Sequence, residues 1–335
     1  MNNANNNIWI FSLGRKGGSV HYATYIINQL NLEKRLNLHV FVSRYCIQDK
    51  PNNSISIKTY QNIFEFIKNF FTSLIPLLFR ISINAIKGRI NVIYFPYFHF
   101  WNILIIITAR LFKIRVVSTV HDGVLHTGNG KLGEQFLNRF AIANSDCLIF
   151  LTKYVETMVS KKITFSCRSF IVPHGLIKPP GINTKIRTLP KKPNILFFGR
   201  LSYYKGVDIL IDAVNKLEPT IFNKCFIVGD RVDFKKNISF QNDKIEWVSG
   251  WVSEKKVAEY FNVSDILVLP YREATQSGVV SIGISASMPM ICSNVGGLSD
   301  QLTSELEAVF IEPEDSDMLK MAIESLINYP EKYNE

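Results

Sequence analysis

The residues able to do chemistry gather in four short polar loops, each placed after an apolar run. In Phe198-Gly-Arg-Leu-Ser-Tyr-Tyr-Lys-Gly206, Arg200 sits where an apolar run ends and Lys205 where a helical pattern begins. Two cations and a helix N-terminus then converge, a combination that holds a diphosphate and stabilises the charge growing on it as it leaves. In Pro270-Tyr-Arg-Glu-Ala-Thr-Gln-Ser-Gly-Val279, Thr275, Gln276 and Ser277 supply hydroxyl and amide groups, while the N–H groups of Gly278 and Val279 open a helix. That set fits an anion and sugar pocket rather than proton transfer; the plainer alternative is a capping turn with Ser277 as N-cap.

The third loop, Ser12-Leu-Gly-Arg-Lys-Gly-Gly-Ser19, carries Gly14, Gly17 and Gly18, which let backbone approach a phosphate or sugar, beside Arg15 and Lys16. It is neither a Walker loop nor Gly-x-Gly-x-x-Gly, and a tight strand-to-helix turn is its alternative. The fourth, Ser118-Thr-Val-His-Asp122, puts His121 at the end of a strand, with His126 and Pro173-His174-Gly175 further on. These histidines lack the helix-spaced His-Glu-x-x-His pair and the thiolates of a zinc site, so a binding or catalytic role for His121 is weighed against a packed core histidine.

The elements that must position these loops are short apolar runs alternating with amphipathic stretches. Strands are expected at Ile8–Ser12, Leu38–Ser43, Val92–Phe95, Arg115–Val120, Cys147–Leu151 and Phe170–Val172, with helices near 19–31, 61–87, 102–113, 131–144 and 152–160. A stretch with four prolines, 178–193, interrupts the pattern. The alternation then resumes with strands at Asn194–Phe198, Cys225–Val228, Ile245–Val248, Ile266–Leu269, Met290–Cys292 and Val309–Ile311, and helices near 206–217, 254–262, 278–287, 297–306 and 316–328. Repeated βαβ units mean parallel sheets covered on both faces. The expected class is α/β, with two tandem Rossmann-like, doubly wound domains facing a cleft. Residues 1–180 form the first, 181–193 the linker and 194–335 the second. Ligands of such sheets sit at the carboxyl ends of strands, where all four loops fall.

Composition narrows the class. The chain has 335 residues, 47% hydrophobic and 20% charged, which excludes disorder and leaves room for two cores. Residues 1–189 hold 23 Lys and Arg against 7 Asp and Glu, whereas residues 190–335 hold 15 against 21. The first half therefore suits an anionic partner. The five cysteines (46, 147, 167, 225 and 292) are odd in number and form no Cys-x-x-Cys pair, and Met1–Asn7 is asparagine-rich without the pattern of a signal peptide. A cytoplasmic protein is the expectation. No spanning helix is expected either, because Glu65, Lys68, Pro76, Arg80 and Asn84 interrupt the most apolar stretch, Ile63–Ile86. That stretch reads as a helix between sheet and solvent with snorkelling cations, or as one lying in a membrane interface.

The loops in this order resemble glycosyltransferase family 4, retaining enzymes of GT-B fold that use nucleotide-sugar donors. The resemblance is carried by Ile195-Leu-Phe-Phe-Gly-Arg-Leu with Lys205-Gly, by Ser264-Asp-Ile-Leu-Val-Leu-Pro-Tyr271, and by Ser293-Asn-Val-Gly-Gly-Leu298. Thr119-Val-His-Asp122 and Val172-Pro-His-Gly175 add to it. It implies that Arg200 and Lys205 bind the donor diphosphate, that Gly17 and Gly18 lie near donor phosphate and acceptor, and that His121 lies close to the donor sugar. The turn around Glu246–Val252 would cradle the base. The family often carries two glutamates in the spacing Glu-x7-Glu; aligned on Gly278, Thr275 and Gly283 stand there instead. Glu273 falls two residues early and is kept as a donor-binding candidate with Thr275, Gln276, Ser277, Gly278 and Val279. The stretch resembles a branch of the family with Thr-Gln-Ser-Gly at this place.

The resemblance further implies a retaining transfer without metal or cofactor, the nucleotide-diphosphate sugar being co-substrate. A retaining hydrolase needs two carboxylates across the sugar, and none are paired here. Asp315-Ser-Asp317 mimics a metal-binding Asp-x-Asp but sits at a helix start, where acids favour the dipole, and is read as capping. The basic half would take a glycan or lipid-linked acceptor in bacterial surface polysaccharide biosynthesis, with peripheral attachment to an anionic membrane on its inner face; no nucleic-acid module is discernible. The rival readings are a nucleotide-sugar epimerase of the same fold and a non-catalytic sugar-nucleotide or membrane-binding protein.

Overall fold

The computed structural model describes residues 6–122, 132–231, 242–302 and 308–333. It divides after Gly175 into two compact units. Each is built on one wholly parallel sheet.

In the first unit, β1 (Asn6–Ser12), β2 (Leu36–Ser43), β3 (Ile55–Ile57), β4 (Val92–Phe95), β5 (Arg115–Val120), β6 (Cys147–Phe150) and β7 (Arg168–Ile171) lie in the order β3-β2-β1-β4-β5-β6-β7. The side-chain period of two explains the two cores. Trp9, Phe11, Phe41, Ile93 and Phe95 point to one face and pack with Leu74, Leu77, Ile81, Ile105 and Ile106 from helices above it. Ile10, Val40, Val42 and Tyr94 point to the other and meet Val20, Ala23 and Ile27 of helix Gly18–Leu30. β3 escapes the sequence reading because three residues, Ile-Ser-Ile, show too little alternation; pairing with Phe41–Ser43 makes it an edge strand. One helical stretch, Ile63–Ile86, is long and apolar enough to cross a membrane by length and composition, contrary to the expectation from its charged interruptions. Its inward residues Leu74, Leu77 and Ile81 are nevertheless fixed in the core.

The second unit orders β8 (Ile195–Phe198), β9 (Cys225–Gly229), β10 (Ile245–Ser249), β11 (Ile266–Leu269), β12 (Met290–Ser293) and β13 (Val309–Ile311) as β10-β9-β8-β11-β12-β13 around one continuous core. In both sheets the strand order reverses beside the first strand of the unit, between β1 and β4 and between β8 and β11. Such switch points leave a crevice at the carboxyl ends of the strands.

The segment expected as a linker makes contacts of its own. Residues 176–193 count with the second unit, and 181–187 are docked on it rather than bridging freely. Ile182 joins the second core. The Asn183 N–H donates to Asn262 Oδ1 at 2.7 Å, and Asn262 Nδ2 donates to the Gly181 carbonyl at 2.9 Å. Arg187 donates from Nε to the Ala286 carbonyl at 3.0 Å and from Nη1 to the Ser264 carbonyl, closing the ends of two helices whose last carbonyls need partners. Prolines keep the segment out of helix and sheet, but its polar groups still satisfy its neighbours. Arg187→Met should therefore cost about 1–3 kcal/mol by stranding those carbonyls, read as a lower denaturant midpoint with an unchanged slope.

Candidate functional site

In the second unit the site grows from the loop leaving β8. Gly199 turns with φ +138°, and its N–H remains bonded to the Val228 carbonyl at 3.0 Å. After Arg200, a short 3-10 turn, Tyr203–Lys205, leads to Gly206 in the left-handed region at φ +63° and then into helix Val207–Asn215. A Cβ on Gly206 would lie 1.8 Å from the Pro270 carbonyl oxygen. Only glycine permits that approach, which presses the loop against the end of β11.

The approach puts Lys205 on Tyr271. The ammonium lies 3.5 Å from the Tyr271 ring centroid and 5.2 Å from that of Tyr204, and Lys205 is only 9% exposed. A nearly buried ammonium on two ring faces regains part of its lost hydration through the π quadrupoles. It also remains a strong partner for an anion, because little water screens it. Arg200 is exposed, with its guanidinium 5.8 Å from the Tyr204 ring. Tyr271 is completely buried, burial raises its phenol well above the ordinary range, and the hydroxyl lies 3.3 Å from Ser277 Oγ.

Ser277 occupies the N-cap position of helix Gly278–Ser285, but its side chain does not cap the helix. Gln301 clamps its backbone instead: the Ser277 N–H donates to Gln301 Oε1 at 2.6 Å, and Gln301 Nε2 donates to the Ser277 carbonyl at 3.3 Å. The helix therefore opens without a side-chain cap, and Val279 Cγ2 lies 3.8 Å from where a Gly199 Cβ would stand. Thr275 is buried, Glu273 is exposed, and the buried Gln276 Oε1 has no hydrogen-bond partner among the described residues. Arg200, Lys205, Ser277, Gly278 and Val279 thus belong to one cluster at the β8–β11 switch point.

Sequence reasoning missed the groups that hold this cluster. Arg272 forks onto Asp208 at 2.8 and 2.9 Å, reaches Glu314 at 2.7 Å, and lies 4.0 Å from the Tyr203 ring. It binds the 3-10 turn to the following helix. Tyr204 and Tyr271, adjacent to Lys205 and Pro270, were the available signal, since aromatics beside a buried lysine fix its direction. Glu246 pairs with Lys224 at 2.9 Å on the surface. The turn after it runs through Gly250, φ +128°, to the half-exposed Trp251. Asp315 Oδ1 accepts from the Met318 N–H at 2.7 Å and Asp317 pairs with Lys216 at 2.6 Å, so this acidic pair is a cap and a surface ion pair.

Gly283, aligned with the second glutamate of Glu-x7-Glu, faces the sheet. An added Cβ would stand 2.7 Å from Leu267 Cδ2 and 2.8 Å from Met290 Sδ. Both belong to buried core side chains that would have to shift, so Gly283→Ala should cost about 1–3 kcal/mol. Gly283→Glu must bury a carboxylate in that packing, and should cost more than about 3 kcal/mol in a denaturant titration.

The first unit has its own polar centre at the β1–β4 switch point. Tyr97, its phenol pushed up to about 12 by burial, lies 2.9 Å from Ser12 Oγ and accepts from the Gly14 N–H at 2.7 Å. Gly14 is glycine because a Cβ would stand 2.9 Å from both the Tyr97 hydroxyl and Val20 Cγ2. Gly17 and Gly18 differ: nothing lies within 4 Å of an added Cβ at either, and Gly17 opens helix Gly18–Leu30 without a side-chain cap. The glycine loop is thus divided between packing at Gly14 and open backbone at Gly17 and Gly18.

His121, directly after β5, is 7% exposed. Its Nε2 lies 2.9 Å from the Pro96 carbonyl, which only accepts, so Nε2 carries the proton. The buried Nδ1 has no partner among the described residues. The ring stands edge-on to Tyr22 at 4.8 Å, and Tyr22 meets His174 at 5.1 Å. His174 lies 3.0 Å through Nδ1 from the Gly175 carbonyl. His126 lies outside the described residues. Burial lowers His121 to about 4, against the opposing pull of Asp122 and the Pro96 bond. Its value in the fold lies below that of the unfolded chain, so its contribution to stability is present above pH 6.5 and is lost as pH falls towards about 4. Melting followed from pH 7 to pH 4 should show that loss, with His121→Asn flattening the slope by up to about 1.4 kcal/mol per pH unit. An unchanged slope would assign the proton uptake elsewhere.

Comparison with known proteins defines the class first. The fold is that of GT-B glycosyltransferases. Sucrose-phosphate synthase from Thermosynechococcus elongatus superposes with a TM-score of 0.74 at 16% identity, over 98% of this chain and 91% of that one. Anabaena HepE, solved in complex with UDP-glucose, superposes with a TM-score of 0.67 at 15% identity, over 98% and 91%. Within the chain, residues 192–329 match the family model of glycosyl transferases group 1. An uncharacterized glycosyltransferase of Methanocaldococcus jannaschii is 28% identical over 220 residues, which are 64% of this chain and 59% of that protein. The chain spans 35% to 59% of the length of three curated relatives it matches.

Proposed function

We propose that this protein is a retaining glycosyltransferase of the family 4 type, moving a sugar from a nucleotide-diphosphate donor to a glycan or lipid-linked acceptor without a metal, in surface polysaccharide biosynthesis. The observation that carries the reading is the convergence of Lys205, Arg200 and the uncapped helix Gly278–Ser285 at the β8–β11 switch point. The match of residues 192–329 to glycosyl transferases group 1 and the UDP-glucose complex of a structural neighbour support it.

In this reading the acceptor hydroxyl attacks the anomeric carbon on the face from which the diphosphate departs. The C–O bond to the acceptor forms as the bond to phosphate breaks, and the acceptor proton passes to a phosphate oxygen of the departing nucleoside diphosphate. Lys205, Arg200 and the N–H groups at Gly278 and Val279 stabilise the charge that develops there. Tyr271 and Tyr204 hold the ammonium in place before substrate arrives, so no reorganisation is needed during reaction. In the first unit, Gly17 and Gly18 leave backbone uncrowded by side chains, which suits a sugar or phosphate, and His121 is assigned to that unit's polar centre. Neither an epimerase nor a non-catalytic binder gains support from these relatives.

Thermal stabilisation by UDP-, GDP-, ADP- and dTDP-sugars identifies the donor, since binding to the fold raises apparent stability. With that donor, Lys205→Ala should lower turnover by roughly 10²–10³, the scale for losing one charge partner of a transition state. Full transfer activity in Lys205→Ala would overturn the assignment, as would epimer formation in the absence of any acceptor.

A further inference from the structure

The helical stretch Ile63–Ile86 has apolar residues on two sides, and among the described residues only one side is packed into a core. Inward, Leu74, Leu77 and Ile81 are at most 5% exposed and complete the core of the first unit. Outward, Phe64, Ile67, Phe71, Phe79, Ile83 and Ile86 are each more than half exposed, Phe64 as much as 80%. They run nearly the whole length of the helix, about 36 Å at 1.5 Å per residue. Helix Asn102–Leu111 packs beside Ile75–Ile86 and brings the exposed Ile107, Leu111 and Phe112. Soluble monomers rarely expose a contiguous apolar patch beyond a few hundred Å².

Charge says what covers it. Residues 58–115 contain eight Lys and Arg and one acid, Glu65. Glu65 is occupied at the helix start, where its Oε2 accepts from the Gln61 N–H at 2.9 Å while its own N–H donates to Asn62 Oδ1 at 2.9 Å. Arg80 folds over Trp9 and Phe41, and Arg110 pairs with Asp146 at 2.7 Å. Lys68, Lys87, Arg89 and Lys113 are exposed along the apolar residues. A second copy would bring these like charges together, and protein interfaces deplete lysine from their cores. A spanning orientation would tear Leu74, Leu77 and Ile81 from the core. An anionic bilayer surface satisfies both features: aromatic and aliphatic side chains enter the headgroup boundary, and lysine stems snorkel towards lipid phosphates.

We infer that the outer face of Ile63–Ile86 is an in-plane docking surface for a membrane rich in anionic lipid. The inference stands on this face alone and does not depend on the catalytic reading. It places the first unit against the surface where a lipid-linked substrate would be found.

The test is flotation of the full chain with vesicles of equimolar phosphatidylcholine and phosphatidylglycerol, and with phosphatidylcholine alone. Binding to the anionic vesicles at low salt, weakened at high salt, is expected. A triple variant, Phe64→Gln, Phe71→Gln and Phe79→Gln, should float about tenfold less while keeping its melting temperature, because these side chains are exposed. Lys68→Glu with Lys87→Glu should remove the preference for phosphatidylglycerol. Equal flotation of the triple variant and the parent would overturn the inference, as would no binding of the parent at low salt. A lipid-free dimer that the triple variant converts to monomer would instead give the face to a second copy.

Discussion

The candidate site depends on one close contact, the approach of Gly206 to the Pro270 carbonyl. Any side chain there would drive the loop after β8 away from the end of β11. Because the approach is allowed, Lys205 lies on the buried ring of Tyr271 instead of extending into solvent. Tyr271 in turn reaches Ser277, whose backbone Gln301 clamps, so the helix after it starts in a fixed place without a side-chain cap. One missing Cβ is thus linked through an ammonium, a phenol and an amide to the orientation of a helix N-terminus. Positive potential is concentrated there by geometry more than by the number of charges, since the second half of the chain is net acidic.

The first unit achieves order by different means. Its switch point is filled by Tyr97 and the β5 end by His121, both buried polar groups tied by short hydrogen bonds. Burial holds the imidazole neutral, which leaves one bare nitrogen as an acceptor. The unit has its excess of positive charge on the outside, much of it along residues 58–115. Interior and exterior therefore serve different ends: uncharged hydrogen-bonding inside, and a basic, apolar face outside.

Most of the architecture is legible in the order of residues. Apolar runs such as Ile266–Leu269 and Val92–Phe95 are bounded by turn residues and coincide with observed strands. Ile55–Ile57 is not legible, because three residues carry no period and an edge partner decides their state. The docked segment 181–187 looks like a linker for a similar reason: Arg187 has no local pattern, and its two carbonyl partners lie 77 and 99 residues away. Among site residues, Arg200 and Lys205 are recognisable from type and position. Gln301 and the Arg272–Asp208 pair are not, since each acts across a long separation in the chain.

The amino-acid sequence by itself determined the alternation of strand and helix, the basic and acidic halves, and the loops in which polar residues fall. These follow from local periodicity and composition, which need no partner. Only the tertiary structure decided which cations share a ring, that Ser277 leaves its helix uncapped, that Gly283 faces a sheet with no room for a carboxylate, and that one side of Ile63–Ile86 stays exposed among the described residues. Those outcomes depend on distances between residues remote in the chain, and packing rather than propensity sets them.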